Sequence, residues 1–306
     1  MTYALHSHTH TTEGFGAFFS EVLPDSLIDA LKVIPFLFLT YLMMEFIEHK
    51  ASGSTVNVLK KAGGLGPVIG ATFGILPQCA FSAVASNLYT GRIITLGTLI
   101  SVFLSTSDEM LPMMLSDGIT ASVIFPILGY KLFVGLLVGV AIDLTMRLMK
   151  RRTPEINIDE ICENDNCHCE RGIFYSALHH TVKITVFILA VTLIINSLML
   201  FADAEKIAEA VRGFPVLSHF ISALVGLIPG CAGSVAITSL GLHGMISIGT
   251  MLSGLFSGSG VGILILLKQN KHPKENLTVI FILIISAVLF GALADLIGFD
   301  SLLATL

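Results

Sequence analysis

Five apolar runs lie along this chain: Leu27 to Ile47, Ile94 to Met114, Tyr130 to Met149, Ala177 to Leu200 and Thr278 to Ile297. Each is close to the ~20 residues a helix needs to cross a bilayer. A segment without a polar face must be surrounded by lipid or by protein, so these runs limit the fold more than any other feature. Composition agrees, because 54 % of the 306 residues are hydrophobic and 13 % charged, too little polar surface to cover a water-soluble globule of that length. The runs lack strand-like alternation, which argues against a barrel. The amino terminus, MTYALHSHTHTTEGFG, has no basic patch followed by an apolar core. No cleavable signal peptide is expected, and the first transmembrane helix is expected to act as the insertion signal.

Two nearly matching stretches, GILPQCAFS and GLIPGCAGS, interrupt this background 152 residues apart. Laying residue 71 onward over residue 223 onward, with no gap, sets Gly74 on Gly226, Pro77 on Pro229, Cys79 on Cys231 and Ser82 on Ser234. Gly97, Thr98, Ser101, Ser105 and Ser107 then fall on Gly249, Thr250, Ser253, Ser257 and Ser259. Unrelated hydrophobic helices share Leu, Ile and Ala by chance, but not Gly, Pro, Cys and several serines in one register. The pattern reads as an internal repeat. Upstream the match weakens and slips by one residue, setting Leu27, Lys32 and Phe36 against Leu178, Lys183 and Phe187.

The pieces flanking Pro77, Gly63 to Leu76 and Cys79 to Thr90, are too short to span a ~30 Å hydrocarbon core at a rise of about 1.5 Å per residue. A spanning helix kinked at the proline and a re-entrant hairpin are both compatible with the sequence. With three crossings and one hairpin per half, Lys50, Lys60, Lys61, Arg92, Arg147, Lys150, Arg151, Arg152, Lys268, Lys271 and Lys274 fall on one face, the cytoplasmic one. Both termini, Asp117, Asp203, Glu205 and Glu209 fall on the other, outer face. An odd number of crossings per half inverts the second half relative to the first. The expected fold is an all-α integral membrane protein of about ten helical elements in two inverted-topology repeats, each with a Pro-broken re-entrant helical hairpin. The expected organisation is a polar His-containing tail (1–23), a first membrane repeat (24–149), a cytoplasmic acidic Cys/His linker (150–175) and a second membrane repeat (176–306) in the cell membrane.

Pro77 and Pro229 each remove a backbone donor and free neighbouring polar groups that lipid does not tolerate. In inverted-repeat transporters such breaks meet near the bilayer midplane and form the substrate site. The candidate substrate-binding residues are Pro77, Gln78, Cys79, Ser82, Pro229, Cys231 and Ser234, with Ser105 and Ser107 downstream. The competing reading is a set of residues that merely kinks and packs helices. In LSTSDEMLPMM, residues 104–114, Asp108 and Glu109 are ionisable groups within an apolar run, which points to ion or proton coupling rather than to a helix end at the headgroups. Glu45, one turn before His49, is a further coupling candidate. Lys131, Asp143, Asn196 and Asp295 interrupt other runs and are read as structural.

Metal-ligating types cluster in several places. His179 and His180 open the second half, and the linker INIDEICENDNCHCE groups Cys162, Cys167, His168 and Cys169. That spacing is not that of a structural zinc finger, and a disulfide framework is not expected on the reducing side of the membrane, so a soft-metal capture site is the functional reading. His6, His8 and His10 form a second tract in the amino-terminal tail. The candidate metal ligands are Cys79, Cys231, Asp108, Glu109, His179, His180, Cys162, Cys167, His168 and Cys169. Thiols favour trivalent arsenicals, Zn, Cd or Cu(I), whereas carboxylate and serine oxygens suit Mn(II).

The paired GxxPxCxxS motifs, the first helix KVIPFLFLTYLMMEFIEH, the STSDEMLP segment and the Cys/His loop together resemble the ten-transmembrane heavy-metal exporters. These are arsenic-permease-like proteins often labelled manganese transporters or arsenic efflux proteins. The resemblance covers essentially the whole chain and implies export of a metal or metalloid across a bacterial inner membrane. No Walker motif or aspartyl-phosphate loop is present in the sequence, so proton antiport through Asp108 or Glu109 is the expected coupling. The expectation is a transporter and not an enzyme, with no cofactor, whose partners are a metal ion or metalloid substrate and the lipid bilayer and not nucleic acid. Small interior residues leave a homo-oligomer open. The runner-up is a permease for a small organic or organometalloid anion held at hairpin helix N-termini, and the third reading is a non-transporting membrane metal sensor.

Overall fold

The computed structural model describes residues 24, 27–28, 31, 34–35, 37–39, 41–42, 65–76, 79–107, 110–149, 173–199, 215–229 and 231–299. Regular structure among them is entirely helical. After helical residues between 24 and 42 come α1 (Gly66–Gly74), α2 (Cys79–Thr90), α3 (Leu96–Ser105), α4 (Met110–Ser116), α5 (Ala121–Leu148) and α6 (Ile173–Met199). They are followed by α7 (Pro215–Gly226), α8 (Cys231–Leu242), α9 (Ile248–Ser257), α10 (Gly262–Gln269) and α11 (Pro273–Ile297). Among the described residues, three segments are long and apolar enough to cross a membrane: α5, the two-part α9–α10 segment from Ile248 to Gln269, and α11.

The burial pattern is that of a protein solvated by lipid. On α11 the exposed positions are large and apolar, Leu277, Phe281, Ile285, Leu289 and Leu293, one every fourth residue down a single face. The opposite face buries Val279, Leu283, Ser286, Ala287, Gly291 and Ala294. The inward face is thus smaller and more polar than the outward one, the reverse of a water-soluble helix. α5 follows the same rule, exposing Phe125, Phe133, Leu137 and Leu144 while burying Gly135, Gly139 and Lys131. The chain is an all-helical membrane protein.

The interior is held by one device that occurs twice, 152 positions apart. Thr95 caps α3 and Ser247 caps α9, each side-chain oxygen accepting from the backbone N–H three residues on. A carboxylate near the end of a long helix then clasps each cap. Asp143 of α5 accepts from Thr95 Oγ1 at 2.7 Å and from Gly97 N at 3.0 Å, and Asp295 of α11 accepts from Ser247 Oγ and from Gly249 N, both at 2.7 Å. Negative charge at a helix N-terminus is favourable, and here it also satisfies donors that lipid would leave unpaired. Close approach of the helices is required for this. A Cβ at Gly139 would run into Ser101 Oγ and Gly97 O, and one at Gly291 into Ser253 Oγ and Gly249 O.

The turns that close α2 and α8 also match. Ile93 N donates to Leu88 O and Met245 N to Leu240 O, each at 2.9 Å, the six-to-one bond of a Schellman end. That motif needs a left-handed residue, supplied by Gly244 at φ 67° in one turn and by Arg92 at φ 59° in the other. A non-glycine residue there costs roughly 1–2 kcal/mol. The Arg92 guanidinium offsets this cost by a two-pronged ion pair with Glu275 of α11, at 2.8 and 3.2 Å.

The two halves interlock rather than merely abut. α1 packs on α3 and α3 on α5, while α7 packs on α9 and α9 on α11. The post-break arms also reach the other half, α2 lying on α10 and α3, and α8 on α9 and α4. Ser86 Oγ of α2 donates to Gly262 O of α10 at 2.7 Å, and Tyr130 OH of α5 donates to Phe290 O of α11 at 2.7 Å. The apolar run Ile94 to Met114 is not one continuous helix: α3 ends at Ser105, Thr106 is extended with ψ 128°, and α4 begins at Met110. The matching segment of the second half is divided in the same way between α9 and α10.

Two stability predictions follow from this packing. Gly139→Ala destabilises the protein by about 1–3 kcal/mol because the backbone of Gly97 cannot retreat, whereas Gly129→Ala, on the same helix with open space beside it, does not. Thermal unfolding of the purified variants in detergent measures both. Arg92→Gly and Arg92→Ala both lose the Glu275 pair, but the glycine variant is the more stable by roughly 1 kcal/mol, since it relieves the left-handed backbone.

Candidate functional site

Four helix interruptions, two in each half, fall at matching places along the chain. The first lies between α1 and α2, where Leu76 leads into the Pro77–Gln78 segment, and the second between α7 and α8, at Leu227 to Gly230. The other two divide α3 from α4 and α9 from α10. In each half the hairpin break is set against the break of the neighbouring helix. Ser107 Oγ, just past α3, donates to Ile75 O, just past α1, at 2.5 Å. A Cβ on Gly258, just past α9, would stand 3.5 Å from Gly226 O at the end of α7.

Serines line these breaks. Ser82, Ser105, Ser107, Ser257 and Ser259 are all buried. Ser105 Oγ turns back onto Ser101 O and Val102 O, and Ser257 Oγ donates to Ala223 O at 2.7 Å, tying α9 to α7. Ser259, the counterpart of Ser107, is 1 % exposed, and its hydroxyl finds no hydrogen-bond partner among the described residues. A buried hydroxyl left in that state costs about 1–3 kcal/mol. On the other side of the same break, a Cβ at Gly262 would press against Ser82 O, so the start of α10 lies directly on α2.

A buried lysine completes the surroundings. Lys131, near the middle of α5, is fully buried, and its Nζ donates to Leu255 O in the last turn of α9 at 3.0 Å and stands 5.7 Å from the Phe256 ring centroid. A cation at a helix C-terminus meets the negative end of the helix dipole. Farther along, Tyr41 OH donates to Asn87 Oδ1 of α2 at 3.3 Å and accepts from Gln269 Nε2 of α10.

Of the residues singled out in the sequence, Ser82, Ser105 and Ser107 are buried at or beside the breaks, and Pro229 and Ser234 are half-buried there. Cys79 and Cys231 are the first residues of α2 and α8, which puts their backbones at the two hairpin breaks. Their side chains lie outside the described residues, as do Pro77, Gln78, Glu45, Asp108, Glu109, Cys162, Cys167, His168, Cys169 and the side chain of His180. His179 is exposed on α6. Among the described residues no group of three His, Cys, Asp or Glu side chains is assembled to hold a metal ion. Asp143 and Asp295, read as structural, are the caps of α3 and α9. Sequence reading missed their equivalence, although the same 152-residue offset relates them, and it missed His219, whose Nε2 lies 3.3 Å from Asp295 Oδ2. It also missed Glu275 as the partner of Arg92, because ion pairs between distant helices leave no local pattern.

Comparison with known families places this geometry. The model of the family described as "Putative, 10TM heavy-metal exporter" matches residues 170–305, which hold α6 to α11. Comparison with curated proteins and comparison with solved structures both return no match. Residues 170–305 are thus similar to the ten-transmembrane heavy-metal exporters, the family that the motifs of the sequence resemble.

Proposed function

We propose that this protein is a secondary active transporter that exports a heavy-metal cation or a metalloid by proton antiport, with the substrate held among the four helix breaks near the bilayer midplane. The observation that carries the reading is the double coincidence of breaks. In each half a hairpin break meets an interrupted helix, and the arm beyond each hairpin lies on the other half's post-break segment. Irregular backbone at membrane depth is tolerated where it lines a cavity or a site, and broken helices from two halves are the usual makings of a transporter centre. The family match over the second half supports the same reading.

The two halves act in this proposal as inverted-topology repeats whose hairpins are re-entrant. The matched caps at Asp143 and Asp295 support it, since they stand at the same register in each half. Cys79 and Cys231 start α2 and α8 and supply soft ligands for Zn-like ions or trivalent arsenic, while serine hydroxyls and free carbonyls supply oxygen ligands. Asp108 and Glu109 join α3 to α4 next to Ser107, where a carboxylate would exchange a proton for the substrate. Rocking of one half against the other would expose this centre to each face in turn, the Cys/His linker delivering metal on the cytoplasmic side.

A second reading has an observation of its own. The N-termini of α2 and α8 lie at breaks, and buried Lys131 stands beside the end of α9, an arrangement that favours a small anion or a neutral oxoacid over a bare cation.

Uptake by inside-out vesicles with an imposed proton gradient, read by elemental mass spectrometry over Mn, Zn, Cd, Cu, arsenite and a methylated arsenical, decides between them. The expected outcome is gradient-driven accumulation of a thiophilic species that is lost in the double variant Cys79→Ser, Cys231→Ser. Accumulation retained in that variant but lost in Ser82→Ala, Ser234→Ala assigns the anion reading, and no accumulation of any species overturns transport.

A further inference from the structure

The two caps are alike except at one point. His219 of α7 is buried, 5 % exposed, with Nδ1 3.0 Å from Ser253 Oγ of α9 and Nε2 3.3 Å from Asp295 Oδ2 of α11. One ring therefore joins a hairpin arm to both helices it packs against. The position 152 residues earlier is Pro67, which has no side-chain proton to give or take. In the first half Ser101 Oγ donates instead to Gly135 O at 2.8 Å, and the charged neighbour of Asp143 is Arg147, which keeps its charge at all physiological pH.

The hydrogens in this cluster can be counted. Ser253 Oγ donates to Gly249 O at 3.0 Å, and a hydroxyl has a single hydrogen. With that hydrogen on Gly249 O, Nδ1 must be the donor to Ser253, and Nε2 must also donate because an ionised Asp295 only accepts. In that arrangement both ring nitrogens carry hydrogen and the imidazole is cationic, whereas the same heavy-atom positions fit a neutral ring when Ser253 Oγ donates to Nδ1 and Nε2–H to Asp295. When one proton leaves, the Ser253 hydroxyl turns to donate to Nδ1 and releases Gly249 O. One proton thus rewires the junction of α7 with α9 and changes an ion pair with α11 into a neutral hydrogen bond.

Other charges facing the ring are few. α9 has no ionisable side chain, α11 contributes Asp295 while Lys274 and Glu275 stand in its first turn at the opposite end, and α7 itself contributes none besides His219. α8 carries Cys231 at its first residue, and His243, just past its end, is exposed and bonded to Ser239 O. Asp203, Glu205, Lys206, Glu209 and Arg212 precede α7 and lie outside the described residues.

We infer that His219, held between Asp295 and Ser253, is a second proton-carrying group, beside the Asp108 and Glu109 carboxylates, that couples this protein to the proton gradient, and that its protonation latches the arm α7 to α9 and α11. The inference rests on the exporter reading and deepens it. In the proposed topology this cap lies at the outer face and that of Asp143 at the inner face, so the titratable latch is at the side from which protons enter. His219 takes a proton from outside as substrate leaves and gives it up when α7 separates from α9 and α11.

Two measurements on the full chain test the inference. Hydrogen–deuterium exchange of residues 215–226 in lipid nanodiscs between about pH 5 and 8, corrected for the intrinsic pH dependence of exchange, should show protection rising as pH falls in the wild type and no such rise in His219→Gln. An equal rise in both overturns the latch. Should the variant not fold, nitrogen-15 histidine spectra of the wild type decide, and a His219 signal that stays constant over that range overturns the proton site. In proteoliposomes given Zn(II), Cd(II) or arsenite, His219→Gln should keep downhill exchange and lose accumulation driven by a pH gradient. Accumulation kept by the variant overturns the coupling role. A wild type that moves none of these species sinks the exporter reading with the coupling role, while the exchange measurement still decides whether His219 latches α7.

Discussion

A helix that stops inside a bilayer leaves amides and carbonyls with no water to pair them, and each unpaired group costs several kcal/mol. The structure depends on how that demand is met. At the start of α3 and α9 a carboxylate from a neighbouring long helix accepts from a backbone N–H and from the capping hydroxyl. At the ends, serine hydroxyls and the Lys131 ammonium donate to exposed carbonyls. Polar side chains in this protein are therefore used chiefly to complete interrupted backbone.

Such bonds have short reach, and this sets the packing. Gly97 and Gly139 let α3 and α5 come close enough for Asp143 to reach its cap, and Gly249 and Gly291 do the same for α9, α11 and Asp295. Lipid offers no hydrophobic drive to press helices together, so close approach of small residues and hydrogen bonding must do so. Large side chains are displaced to the outside, which is why α5 and α11 carry their phenylalanines and leucines toward lipid. Contacts of α2 with α10 and of α8 with α4 then join the two halves.

Near-equality of the halves gives the departures from it meaning. Arg92 takes the place of Gly244 and is tethered to Glu275, and His219 takes the place of Pro67 and is tethered to Asp295. Both departures add a bond between a hairpin arm, or the turn that closes it, and α11.

The sequence alone determined the membrane setting and the helical class, because both rest on local quantities, run length and side-chain size, and a fixed offset between Gly, Pro, Cys and Ser pointed to the matching positions of the two halves. It placed a short apolar piece at Cys79 to Thr90, the span of α2, since Pro77 marks the break before it in the chain itself. It read Ile94 to Met114 as one run, because Thr106 and Ser107 are compatible with a helix and the break depends on Ser107 bonding to Ile75, a distant partner. Which carboxylate meets which cap, that Lys131 reaches α9, and that His219 lies between Ser253 and Asp295 were decided by tertiary structure alone. Those contacts join residues from 34 to 124 positions apart, and hydrogen bonding selects its partner by distance and direction in space, which no local pattern records.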